Sequence, residues 1–125
     1  MSAVYDAAVL VAADRSDRAV WADHRIRLEL GVAPTTTAPV VAQVSRSGRQ
    51  AQLRRFLRGC HIVGFGQDEG HEIGALAGRS ATADVVDVHI VKVAHRRGFG
   101  VVTADVDDLR PVANCLTPRV QIYPL

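Results

Sequence analysis

Short apolar, β-branched runs alternate along this chain with longer stretches of helical character, and that alternation restricts the fold more than any other feature. Strands separated by helices pair in parallel and are covered on both faces, because each crossover helix packs back onto the sheet. The expected strands are Ala3 to Asp6, Pro34 to Thr37, Cys60 to Phe65, Gly100 to Thr103 and Val120 to Tyr123. Between them the expected helices are Ala7 to Asp14, a second capped by Asp17 and stopped at Gly31, and Pro39 to Arg46. A basic helix from Gln50 to Arg58 follows, then Asp68 to Ala77, a loop over Gly78 to Thr82, Asp84 to Arg97 closed by Gly98, and Asp107 to Ala113. The pattern predicts an α/β fold, a three-layer α/β/α sandwich around a central, mostly parallel sheet.

Composition narrows the function classes. With 125 residues, 48% hydrophobic and 22% charged, the chain has the length and apolar content for one folded domain over residues 1–125. No linker or repeat divides it, and no apolar run approaches the roughly 20 residues of a membrane span. Met1 to Asp6 lacks the basic flank and long apolar stretch of a secretory leader. Cys60 and Cys115 stand far apart and outside any CxxC spacing, which argues against a disulfide scaffold or a zinc ribbon. A cytoplasmic protein with no membrane partner is expected. Net charge is only +2, yet no acid occurs between Leu30 and Gln67, where Arg46, Arg49, Arg54, Arg55 and Arg58 fall. Arginine exceeds lysine fourteen to one, which favours forked contacts to phosphate or carboxylate. Such a run reads as a solvated helix face, as a polyanion-binding surface, or as the seat of an acidic partner.

In open α/β sheets chemistry gathers at the carboxyl ends of the strands. Asp6 closes the first strand there, and Asp105 follows the strand Gly100 to Thr103 at the same edge. Asp84 and Asp87 are three residues apart in a first helical turn, so both project from one face. Asp84 reads equally as a helix cap and Asp87 as a complement to the helix dipole. Because Asp87 is flanked by Val85, Val86, Val88, Ile90 and Val91, it is expected to be buried, and a buried carboxylate needs a partner or a metal. Two like charges 4 Å apart repel by roughly 1 kcal/mol in water and about 4 at an intermediate effective dielectric. Converging aspartates therefore imply protonation, intruding arginines or a divalent cation. Oxygen-only ligation selects Mg²⁺ or Mn²⁺ over zinc, and such an ion beside arginine-rich helices suits phosphodiester hydrolysis.

Four segments fall in register with this scheme: Tyr5-Asp6-Ala7-Ala8-Val9-Leu10, Ala38-Pro39-Val40-Val41-Ala42-Gln43-Val44, Thr82-Ala83-Asp84-Val85-Val86-Asp87-Val88-His89, and Val102-Thr103-Ala104-Asp105-Val106-Asp107-Asp108-Leu109. In this order, from Tyr5 to about Ala113, they resemble a PIN domain of the VapC-type toxin ribonucleases of bacterial toxin–antitoxin pairs. The resemblance implies a Mg²⁺- or Mn²⁺-dependent endoribonuclease in which a metal-bound water attacks a phosphodiester. Its metal-binding acids fall on Asp6, Asp87 and Asp105, with Asp84 and Asp108 in support. It also implies a homodimer, a cognate VapB-like antitoxin whose tail covers the pocket, and a structured RNA substrate such as tRNA or ribosomal RNA. Arg46, Arg49, Arg54 and Arg55 are the candidates for contacting that RNA. One position departs from the family: its third-helix acid, usually glutamate, is here Gln43. An amide oxygen still ligates a cation but carries no charge, so weaker metal affinity is expected, with one ion instead of two.

The rival of a different class is a PIN fold that binds RNA or protein, its catalysis lost with Gln43. Thr103, two residues before Asp105, reads either as a residue orienting a carboxylate or water or as an ordinary strand residue. Trp21 is expected in the core or at an interface, and His24, His61, His71, His89 and His95 show no metal-ligand spacing. Cys60 and His61, adjacent on a strand, point to opposite faces and do not make a thiol nucleophile. A phospho-receiver domain needs a lysine after its last strand, and the sole lysine, Lys92, sits within a helix.

Overall fold

A computed structural model of the chain describes residues 2–125, with Met1 outside the described residues. The elements run β1 (Ala3–Tyr5), α1 (Ala7–Asp14), α2 (Arg18–Glu29), β2 (Thr35–Thr37), α3 (Ala38–Val44) and α4 (Ala51–Leu57). They continue with β3 (His61–Val63), α5 (Glu69–Ser80), α6 (Val85–Arg97), β4 (Gly100–Thr103), α7 (Val106–Asn114) and β5 (Ile122–Pro124). Every strand pairing is parallel, in the order β3-β2-β1-β4-β5. The helices form two mutually contacting groups: α1 touches α2, α3 and α4, whereas α5, α6 and α7 touch one another. Each group packs on the sheet, with α1 and α3 on β1 and β2 and with α6 and α7 on β4 and β5. This is the expected three-layer α/β/α arrangement, with a fully parallel sheet. No helix among the described residues is long and apolar enough to cross a membrane.

Local chemistry sets most element ends. Asp17 caps α2 by accepting from Val20 N at 3.0 Å. Thr37 caps α3 by accepting from Val40 N at 3.3 Å, with Pro39 in the first turn where its missing N–H costs nothing. Gly98 closes α6 at φ 69°, a conformation glycine adopts without Cβ strain. Several boundaries differ from expectation: β3 stops at Val63 instead of Phe65 and α3 at Val44 instead of Arg46. Helix α5 continues past Gly78 to Ser80, whose hydroxyl donates back to Leu76 O at 2.9 Å, and Ala81 ends it in the left-handed region. Strand β5 begins at Ile122, two residues late, because Val101 N bonds Gln121 O and leaves Val120 as buried packing ahead of the ladder.

The core lies between the sheet and both helical layers. Tyr5, Phe56, Leu10, Ile73, Leu76, Ile90 and Leu109 are its largest fully enclosed side chains. The chain leaves β1 outward through β2 and β3, then returns to place β4 on the other side of β1. A topological switch point therefore sits between the carboxyl ends of β1 and β4, where open α/β sheets form their crevice.

Candidate active site

The switch point collects carboxylates. The register pairs Tyr5 with Val102, so the next residues, Asp6 and Thr103, emerge side by side at the sheet edge. Asp6 is 5% exposed and held from two sides: its Oδ1 accepts from Ala7 N at 2.7 Å and its Oδ2 from the Thr103 hydroxyl at 2.6 Å. The same hydroxyl oxygen accepts from Asp105 N at 2.9 Å. Thr103, itself fully buried, thus joins the carboxylate that ends β1 to the backbone that leaves β4. Of its two readings from sequence, the geometry matches the orienting one.

Helices α6 and α7 supply the rest. Asp84 caps α6, its Oδ1 accepting from Val86 N at 3.0 Å and Asp87 N at 3.2 Å. Asp87 lies in the first turn of α6 and is half-buried, less enclosed than its apolar neighbours in sequence imply. Its pKa is pushed up to about 7, first by burial and then by the charges of Asp84, Asp6, Asp108 and Asp105. Aspartates as far apart in the chain as Asp6 and Asp108 therefore both bear on Asp87 at a single edge. Asp84, Asp105 and Asp108 are exposed, so the cluster opens to solvent. Among the described residues none of the five forms an ion pair with Lys, Arg or His. The N-termini of α1, α6 and α7 meet there, and their partial positive ends offset part of the repulsion. Asp107 stands apart, fully solvated and beside Arg110.

The donor set suits a hard divalent cation, since every candidate ligand is a carboxylate oxygen. Among the described residues no three His, Cys, Asp or Glu side chains close around one point as a preformed cage. Magnesium does not require one: it keeps several waters and is commonly held by one or two carboxylates together with substrate phosphate. The uncompensated negative charge around Asp87 fits such an open site.

The other expected residues make no hydrogen bond to the aspartates among the described residues. Gln43 is exposed near the end of α3 and, among the described residues, makes no hydrogen bond to the aspartates. The Arg46 guanidinium donates to Ser45 O at 2.9 Å, and that of Arg54 donates to Gly48 O. Arg55 lies over the Trp21 ring at 5.2 Å and donates to Gln52 Oε1 at 3.1 Å. Gln50 ties the loop carrying Arg46 and Arg49 to Asp14 Oδ2 at 3.1 Å, at the end of α1 remote from Asp6. The eight residues of α1 place that loop about 12 Å along the helix axis from the acid cluster. Two histidines without a sequence signal prove fully enclosed: His24, stacked on Phe56 at 3.9 Å, and His89, 4.7 Å from the Phe65 ring and beside Glu69. Cys60 has its thiol pushed up to about 12 by burial, which removes it as a nucleophile.

No protein-family model matches the sequence, and no curated protein matches it closely enough to count as a relative. Solved structures do match. A chain of the VapBC2 complex from Rickettsia felis, crystallised with a DNA fragment from its promoter, superimposes with a TM-score of 0.74. That match is 16% identical and covers 100% of this chain and 99% of the other. The fold is PIN-like. A toxin–antitoxin complex from Klebsiella pneumoniae also matches, at a TM-score of 0.63 and 16% identity, over 85% of this chain and 88% of that one.

Proposed function

We propose that this protein is a Mg²⁺- or Mn²⁺-dependent endoribonuclease, the toxin of a toxin–antitoxin pair, with Asp6, Asp87 and Asp105 as the residues that hold the cation. The observation that carries the reading is the meeting of five unpaired aspartates at the switch point of a PIN-like sheet, with Asp87 pushed up to about 7 by burial and by its acidic neighbours. A bound divalent cation would supply Lewis-acid activation of water and neutralise charge building on the phosphate. The chain's own residues position the reaction. Asp6 is fixed by Thr103 and by Ala7 N, so one carboxylate keeps its orientation whether or not a substrate is present. Asp84 and Asp108 add negative charge that raises cation affinity, and the exposed Asp105 and Asp108 leave room for a phosphodiester to approach. We assign Arg46, Arg49, Arg54 and Arg55 to contacts with more distant phosphates of the RNA. The likeness to solved toxin–antitoxin complexes supports an antitoxin partner, and a homodimer follows from the family resemblance.

The decisive assay is cleavage of end-labelled RNA, including tRNA and ribosomal RNA. Cleavage is expected with Mg²⁺ or Mn²⁺, to stop with EDTA, and to fall by roughly 100-fold or more in Asp6→Asn and Asp87→Asn. RNA binding without cleavage under all these conditions sinks the enzyme and favours the binding module.

A further inference from the structure

Helix α2 carries Arg18, Trp21, Arg25 and Leu28 at a spacing that puts them on one face. Helix α4 turns Gln52 and Arg55 toward that face, and the six side chains line part of a concave groove of about 560 Å³. No carboxylate is among its lining residues. Among the described residues Arg18, Arg25 and Arg55 have no ion-pair partner, although Arg27, Lys92, Arg96 and Arg110 do. Three exposed cations therefore share one hollow with no carboxylate in its lining, which favours an anion there.

We propose that the α2–α4 groove is a second phosphate-binding site, which grips the RNA backbone away from the aspartate cluster. This rests on the ribonuclease reading and names how that enzyme holds its substrate. The groove is already organised for the task. Trp21 is anchored by its indole N–H, which donates to Ala13 O at 3.0 Å, and its ring sets the Arg55 guanidinium at 5.2 Å. Arg55 is further fixed by Gln52 Oε1, so little side-chain freedom is lost when it meets an anion. Phosphate is favoured over an acidic peptide because the walls present three guanidinium forks and only one free large aliphatic residue, Leu28, too little to seat a helix. Ala13 lies near the end of α1 whose other end is Asp6, about 10 Å away along the axis, so the groove is displaced from the aspartate cluster along α1. The arginine run read from sequence divides accordingly: Arg55 belongs to the groove, with Arg18 and Arg25 from outside the run as its partners.

The test uses the full chain and the double variant Arg18→Gln/Arg25→Gln, with Arg119→Gln as a control on another surface. Binding of a labelled single-stranded RNA is followed by anisotropy in EDTA across a salt series, and cleavage is compared on that RNA and on a dinucleotide with Mg²⁺. The double variant should bind roughly tenfold more weakly. Its plot of log K against log salt should flatten by about 0.7 for each phosphate that is no longer neutralised. KM for the long RNA should rise far more than KM for the dinucleotide, while the melting temperature stays at the wild-type value. A double variant that binds and cleaves long RNA like the wild type overturns the groove and leaves the nuclease standing. RNA binding that depends on Arg18 and Arg25 in a protein that cleaves nothing supports the groove and removes the nuclease. Labelled polyglutamate is measured in the same anisotropy series, and loss of its binding in the double variant with RNA binding intact assigns the surface to an acidic partner and overturns the proposal.

Discussion

At Asp87 two effects act in one direction: partial burial disfavours the charged carboxylate, and four neighbouring aspartates disfavour it again. Its folded-state pKa of about 7 lies well above the value of about 3.9 expected of an aspartate in an unfolded chain. Between these values the folded protein binds more protons than the unfolded one, so stability from this group is full below about pH 4 and is lost as pH rises through 7. Asp87→Asn removes that loss. In EDTA at pH 8 the variant is expected to melt roughly 3 °C above the wild type, with the gap closing toward pH 4. A gap that does not change with pH in thermal denaturation would show that Asp87 ionises freely. Thr103 makes the complementary point. Its β-branched side chain is ordinary strand material in sequence, and only the β1–β4 register sets its hydroxyl on Asp6.

Among the elements, the junction of α2 with α4 depends on an unusually close approach. The His24 ring stacks on Phe56 at 3.9 Å, meets Trp21 edge-on and lies 3.4 Å from the Tyr5 hydroxyl. Gly59, just beyond α4, leaves this ring its space: a Cβ there would fall 2.8 Å from His24 Nε2 and 2.9 Å from Leu28 Cδ1. Gly59→Ala is therefore expected to destabilise the protein by about 1–3 kcal/mol in denaturant unfolding, through overpacking. The cost should shrink in a His24→Ala background, because the two sites share the same contact. Additive costs would place the strain elsewhere. Helix starts at Asp17 and Asp84 were legible because each cap is a local hydrogen bond written in adjacent residues, whereas Thr37, read as a strand residue, proves to cap α3 as well. The end of α5 and the start of β5 were not, since one depends on an alanine held left-handed and the other on pairing with β4.

For the whole molecule, three distant parts of the chain meet at the switch point, and a cation bound between them would join those parts only when folded. Mg²⁺ is accordingly expected to raise the melting temperature in proportion to the logarithm of its concentration above Kd, by linkage to the folded state. Asp87→Asn should reduce the rise, and Gln43→Glu should enlarge it if α3 contributes to the site. An unchanged rise in Gln43→Glu separates that position from the cation. The strand and helix alternation, the parallel sheet and the candidate acids Asp6, Asp84, Asp87 and Asp105 follow from the sequence alone, because periodicity, caps and strand-end position are local properties, whereas Asp108 entered through the family resemblance. What only the tertiary structure decided is which of these residues share a space. Sheet order set Asp6 beside Thr103, helix packing brought α6 and α7 to the same edge, and α2 against α4 joined Arg18 and Arg25 to Arg55. Through-space charge depends on those long-range contacts, and no local pattern encodes them.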